Sequence, residues 1–154
     1  DALEEQTPEL REEKVKLNFI GDISRFNKKL IKQIEQSKKL TEEYEPKLNL
    51  IIAASYGGKW DIINAVKKFH ADKNNKELNE NILEDYLETK SFPNPDLIIR
   101  SGGEKRLSNF YLWQSSYSEL FFSDKLWPDF SANDFDIALE DFKSRKRKFG
   151  VETG

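Results

Sequence analysis

Leu48-Asn49-Leu50-Ile51-Ile52-Ala53-Ala54-Ser55-Tyr56-Gly57-Gly58 is the stretch that decides the fold. From Leu48 to Ala54 only Asn49 is polar, and such a continuous apolar run predicts a strand covered on both faces. Tyr56-Gly57-Gly58 punctuates it. Beyond the glycines, Trp60, Ile63, Val66 and Phe69 form an apolar stripe at helical spacing, with Lys67 and Lys68 on the solvated side. A strand that passes through a glycine turn into an amphipathic helix is the building unit of α/β proteins.

The same alternation continues in both directions. Upstream, Lys14 to Ile20 alternates polar and apolar residues, the period of a strand with one buried face, and Gly21-Asp22 ends it. Phe26, Leu30, Ile31 and Ile34 then predict a helix capped by Ser24 and running to about Thr41, before Pro46 breaks the chain. Downstream, His70 to Lys76 reads as an exposed polar loop, and Asn79 to Thr89 as a second amphipathic helix. Asp96 to Arg100 reads as a buried strand, Ser108 to Tyr117 as a short helix, and Glu119 to Phe122 as a last strand. Ser131-Ala132-Asn133-Asp134 resembles a capping box with Asp in place of Glu. It opens a final helix from about Ala132 to Phe149 that buries Phe135, Ala138, Leu139 and Phe142. The expectation is one α/β domain: a mainly parallel sheet, helices on both faces and right-handed crossovers. Ligands of such sheets bind beyond the carboxyl ends of the strands. That directs attention to Gly21-Asp22, to Tyr56-Gly57-Gly58 and to Arg100 through Ser108.

Composition narrows the function. The 154 residues are 37% hydrophobic and 34% charged, and 11 Phe, 5 Tyr and 3 Trp supply enough burial to offset the entropy of ordering. With 25 basic and 28 acidic residues the net charge is -3, which argues against general affinity for nucleic acid, so any anion site must be a local cluster. No apolar run approaches the ~18 residues of a membrane span. There are no cysteines, hence no thiolate metal site and no disulfide, which suits the cytoplasm. There is also no Met, and the opening Asp1 to Glu13 is highly charged, so the chain reads as the later part of a longer polypeptide.

The densest constellation is Arg100-Ser101-Gly102-Gly103-Glu104-Lys105-Arg106-Leu107-Ser108-Asn109. An arginine closing an apolar strand, two glycines, two further cations, a hydroxyl and a helix start together suit a phosphate or diphosphate. A turn whose charges are merely solvated is the competing reading, and a charge at the end of a buried strand weighs against it. Glu119, at the start of the next strand, would approach the same rim and share a divalent cation if neighbouring strands run parallel. By spacing alone, a solvated edge-strand glutamate is the better reading. Gly57-Gly58 lacks the Lys-Ser/Thr of a phosphate loop and reads as a packing turn. The lone His70 and the basic run Arg145 to Lys148 read as solvated surface.

The segment Asp96 to Phe130 also resembles a known family. Asp96-Leu97-Ile98-Ile99-Arg100-Ser101-Gly102-Gly103-Glu104-Lys105-Arg106-Leu107-Ser108-Asn109-Phe110, then Trp113-Gln114, Tyr117-Ser118-Glu119-Leu120 and Trp127-Pro128-Asp129-Phe130, is similar to the C-terminal signature of the cis-prenyltransferases. The likeness is nearest to the bacterial undecaprenyl diphosphate synthases. Ile20-Gly21-Asp22 with Ser24-Arg25-Phe26, and Tyr56 to Ile62, resemble other stretches of the family. The resemblance implies a cytoplasmic homodimer with Mg²⁺. It would condense isopentenyl diphosphate onto farnesyl diphosphate, giving a product that partitions to the membrane. It further implies that Arg100, Arg106, Leu107 and Ser108 hold isopentenyl diphosphate and that Glu119 helps place Mg²⁺. The family's Met-Asp-Gly-Asn motif and catalytic aspartate have no counterpart here, so this stretch alone is expected to be inactive. Ser55, Lys59, Lys105 and Lys148 depart from the residues the family often carries at those places. The alternative function is a non-catalytic accessory subunit of a cis-prenyltransferase complex. It has little need of Arg100, Arg106, Ser108 and Glu119 together.

Overall fold

The computed structural model describes residues 2–73 and 76–146. Its element order is α1 (Ala2–Glu12), β1 (Val15–Ile20), α2 (Lys28–Leu40), β2 (Leu48–Ala53), α3 (Gly58–Ala71), α4 (Glu80–Glu84), β3 (Leu97–Arg100), β4 (Glu119–Phe122) and α5 (Ala132–Ser144). The chain forms two compact units, residues 1–90 and 91–154, each built on one pair of parallel strands. The α/β class and the parallel pairing follow the alternation in the sequence. Among the described residues no helix is long and apolar enough to cross a membrane.

In the first unit β1 and β2 pair in register from Val15–Leu48 to Ile20–Ala53. Leu17 and Ile20 are buried to 1% and 2% exposure, and their positions place them on opposite faces of β1. Both α1 and α2 pack on β1, joined by Ile34 from α2. The predicted burial is therefore reversed: β1 is the covered strand, whereas β2 leaves Leu48 59% and Leu50 38% exposed. The apolar run correctly marked a strand but did not say which strand the helices cover. Thr41, fully buried past the end of α2, accepts the Leu17 N–H on Oγ1 at 3.0 Å and donates to the Ser37 and Lys38 carbonyls. That ties the helix end to the strand.

Several boundaries differ from expectation for local reasons. Asn27, not Ser24, caps α2, its side chain accepting from Leu30 N at 2.9 Å, while Ile23–Arg25 is a separate 3₁₀ turn. The charged N-terminus is helical despite Pro8, because Leu3, Thr7 and Leu10 share one face and the Thr7 hydroxyl meets Ser37 of α2 at 2.9 Å. His70 falls inside α3, whose buried face is Gly58, Asp61, Ala65 and Phe69, leaving Ile63 56% exposed. α4 stops at Glu84, and the residues after it make i→i−3 turns up to Lys90. The Glu88 N–H is drawn instead to the buried Asp61 carboxylate at 2.9 Å. Gly57 and Gly58 are buried at the start of α3, the packing turn read from the sequence.

In the second unit β3 and β4 pair from Leu97–Glu119 to Arg100–Phe122. The predicted capping box of α5 is present, with Ser131 and Asp134 bonded reciprocally. Of the four apolar residues expected on its buried face, Ala138 is fully buried and Phe135 is 46% exposed. The helix ends at Ser144, with Arg145 extended as its C-cap, and so stops short of the expected Phe149, while Lys148 lies outside the described residues.

Candidate functional site

β3 carries Arg100 to its carboxyl end, where it pairs with Phe122. Side chains alternate along a strand, so Ile98 and Arg100 project to the same face as Leu120 and Phe122. The chain then turns through Gly102 and Gly103, at φ +94° and +77°. Their N–H groups donate to the carbonyls of Lys125 at 2.7 Å and Ser123 at 3.0 Å, which pins the turn beside the exit of β4. It comes back so that Arg100 Nη1 donates to Ser108 Oγ at 2.8 Å and to the Arg106 carbonyl. A cavity of about 290 Å³ results. Its apolar lining is Ile98, Ile99, Leu107, Phe110 and Phe122, and its polar lining is Arg100, Arg106 and Ser108.

The four residues expected to hold a diphosphate, Arg100, Arg106, Leu107 and Ser108, are thus brought together around one cavity. The means differ from those expected. Residues 108–117 are a succession of turns, with Phe110 N bonded to Leu107 O and Ser118 N to Ser115 O, so no helix start faces the site. The glycine N–H groups are already bonded to the 123–125 segment. The groups left to face an anion here are side chains: the guanidinium of Arg100, the Ser108 hydroxyl it orients, and Arg106, which pairs with Glu104 at the surface. Such a cavity can grip an anionic head while its apolar lining takes a short hydrocarbon.

Glu119 is not part of this cluster. In the parallel pair it stands beside Leu97, at the amino end of the strands, three residues from the Arg100–Phe122 rung. That is about 10 Å along the strand, and odd spacing puts it on the opposite face. The expectation of a rim shared with Arg100 is corrected by this register. Its Oε2 is instead held by Arg145 Nη1 at 2.7 Å, while Arg145 Nη2 reaches Asp141 Oδ2 at 2.5 Å and the Leu120 carbonyl at 3.1 Å. Hydrogen bonds that Arg145 donates to Glu119 and then to Asp141 raise its pKa above the ordinary value. Among the described residues no three His, Cys, Asp or Glu side chains gather as a metal site. The one carboxylate expected to hold Mg²⁺ is committed to an arginine, so these residues do not by themselves fit the ion. Sequence reasoning took Arg145 for part of a solvated tail; its i, i+4 spacing from Asp141 was the available signal.

The other ends of strands are structural. Asp22 N bonds to Ser55 O at 3.2 Å where β1 and β2 finish, and Tyr56 donates its hydroxyl to the buried Asp61 at 2.8 Å.

Comparison with known proteins shows the family of the whole chain. Residues 1–150 match the family model described as "Putative undecaprenyl diphosphate synthase". The chain belongs to this prenyltransferase family. It is 43% identical over 156 residues to a ditrans,polycis-undecaprenyl-diphosphate synthase, (2E,6E)-farnesyl-diphosphate specific, of Coxiella burnetii, covering 98% of this chain and 65% of the relative. To an isoprenyl transferase of Neisseria meningitidis it is 45% identical over 149 residues, covering 97% and 59%. The chain therefore spans less than two thirds of the length of these prenyltransferase relatives. Its fold is similar to the crystal structure of a "probable undecaprenyl diphosphate synthase" from Campylobacter jejuni, with TM-score 0.88 and 36% identity over 97% of this chain and 70% of that one. Lavandulyl diphosphate synthase from Lavandula x intermedia, in complex with dimethylallyl diphosphate, gives TM-score 0.89 and 35% identity over 97% and 66%.

Proposed function

We propose that this chain is the portion of a cis-prenyltransferase that holds isopentenyl diphosphate while it is condensed onto farnesyl diphosphate, building undecaprenyl diphosphate. The observation that carries the reading is the cavity at the end of β3, where two arginines and a hydroxyl adjoin an apolar lining. Arg100 and Arg106 offer planar forks that match phosphate oxygens, and Ser108, oriented by Arg100, adds a hydroxyl donor. Ile98, Leu107, Phe110 and Phe122 take the five-carbon tail and keep water from the double bond that attacks the allylic partner. An anion entering the site competes with Glu104 for Arg106. The reading includes a cytoplasmic homodimer and Mg²⁺, as the family leads one to expect. No step in it runs through Glu119, and the group that promotes loss of the allylic diphosphate is placed outside these residues.

The test is incorporation of radiolabelled isopentenyl diphosphate into long polyprenyl product by the enzyme that contains this chain. Arg100→Ala with Arg106→Ala should cut the rate at limiting isopentenyl diphosphate about a hundredfold, the loss of two charge-assisted contacts. An unchanged rate contradicts the reading. The 154-residue chain by itself should make no product.

A further inference from the structure

Ser108, Asn109 and Tyr111 have φ of +50°, +63° and +46°. Among the described residues six non-glycine positions have positive φ, so half of them fall within four residues of one loop, against the cavity. Side chains other than glycine resist this backbone, and asparagine tolerates it best. The loop is stitched on both sides: Phe110 N bonds to Leu107 O at 3.1 Å, and Ser115 N to Tyr111 O at 3.0 Å. The Phe110 and Tyr111 rings stack at 4.5 Å between centroids. The left-handed residues reverse the chain tightly enough for Leu107, Ser108 and Phe110 all to line the cavity, and they set the Ser108 hydroxyl 2.8 Å from Arg100. Asn109 does not itself line the cavity.

We infer that Asn109 is a positioning residue: its left-handed backbone holds Ser108 against Arg100 and so fixes the donors that meet the diphosphate. The inference rests on the reading of the cavity given above and deepens it. It makes residue 109 matter through its backbone conformation. Glycine, which takes positive φ without strain, is then the best replacement, alanine is worse, and the β-branched valine is worst.

Calorimetric titration of the chain with isopentenyl diphosphate tests this, alongside the melting temperature of each variant. Asn109→Gly should bind within about twofold of the parent, Asn109→Ala about tenfold more weakly, and Asn109→Val more weakly again. Asn109→Gly binding as weakly as Asn109→Ala overturns the inference, because a lost amide contact would explain both. Parent-like binding by Asn109→Val also overturns it. Should Asn109→Val fail to fold, the order of glycine and alanine still decides. Arg100→Ala separates the two levels. If it binds like the parent, or the parent shows no binding, the reading of the cavity fails and the inference with it. If Arg100→Ala loses binding while the Asn109 series stays flat, only the inference fails.

Discussion

Gly21 has φ +112°, and a Cβ there would overlap the backbone carbonyl oxygen of Ala54, which cannot yield as a flexible side chain would. Gly21→Ala should therefore destabilise the protein by roughly 2 kcal/mol or more, read as a lower urea midpoint with unchanged slope. Asp134 offers a pH signature. Hydrogen bonds from Lys125 and then Ser131 lower its pKa from 3.8 to about 2. A carboxyl with a depressed folded-state pKa contributes stability that is present above the unfolded value and lost as pH falls through the folded one. Between pH 4 and 2 the urea midpoint should thus fall more steeply for the parent than for Asp134→Asn; parallel curves would contradict it. At this scale the sequence was informative that Arg100, Arg106 and Ser108 gather at one place, because charges flanking a glycine turn at the end of an apolar strand have few places to go. It misled about a rim shared by Glu119 and Arg100, although both clues were present. Arg100 closes its strand and Glu119 opens the next, so parallel pairing sends them to opposite ends.

Helix ends do much of the tying in this chain. Thr41→Val keeps the shape of a buried residue but removes the acceptor of the Leu17 N–H, and should cost about 1–3 kcal/mol. Arg145 likewise joins the last turn of α5 to β4 through Glu119 and Leu120. Arg145→Ala should lower the melting temperature, and adding Glu119→Gln should lower it little further, since each single change already breaks the shared contact. Full additivity of the two shifts would show that the pair is not coupled. Strongly periodic elements such as β1, α2, α3 and α5 were legible because their apolar spacing reports a face. The turns at 108–117 were not, because Phe110, Leu112, Trp113 and Tyr117 have helical spacing while the backbone at Ser108, Asn109 and Tyr111 is left-handed. Periodicity reports which residues seek burial, not the dihedral angles that bring them there. The Ser131 capping box was read correctly because its side-chain bonds are local.

Across the whole chain, the α/β class was written in the alternation of apolar runs and amphipathic helices. The partition into two parallel pairs was not, since strand partners are chosen by contacts distant in sequence. The central claim concerns the second unit: the end of β3 and the loop that returns to it grip a diphosphate bearing a short hydrocarbon. Backbone amide resonances of the labelled chain, followed during titration with isopentenyl diphosphate, test it most directly. The account predicts saturable shifts clustered at residues 98–100, 106–110 and 122, absent in Arg100→Ala. Shifts centred on Gly57-Gly58 or Glu119, or a spectrum that the ligand leaves unchanged, would contradict it.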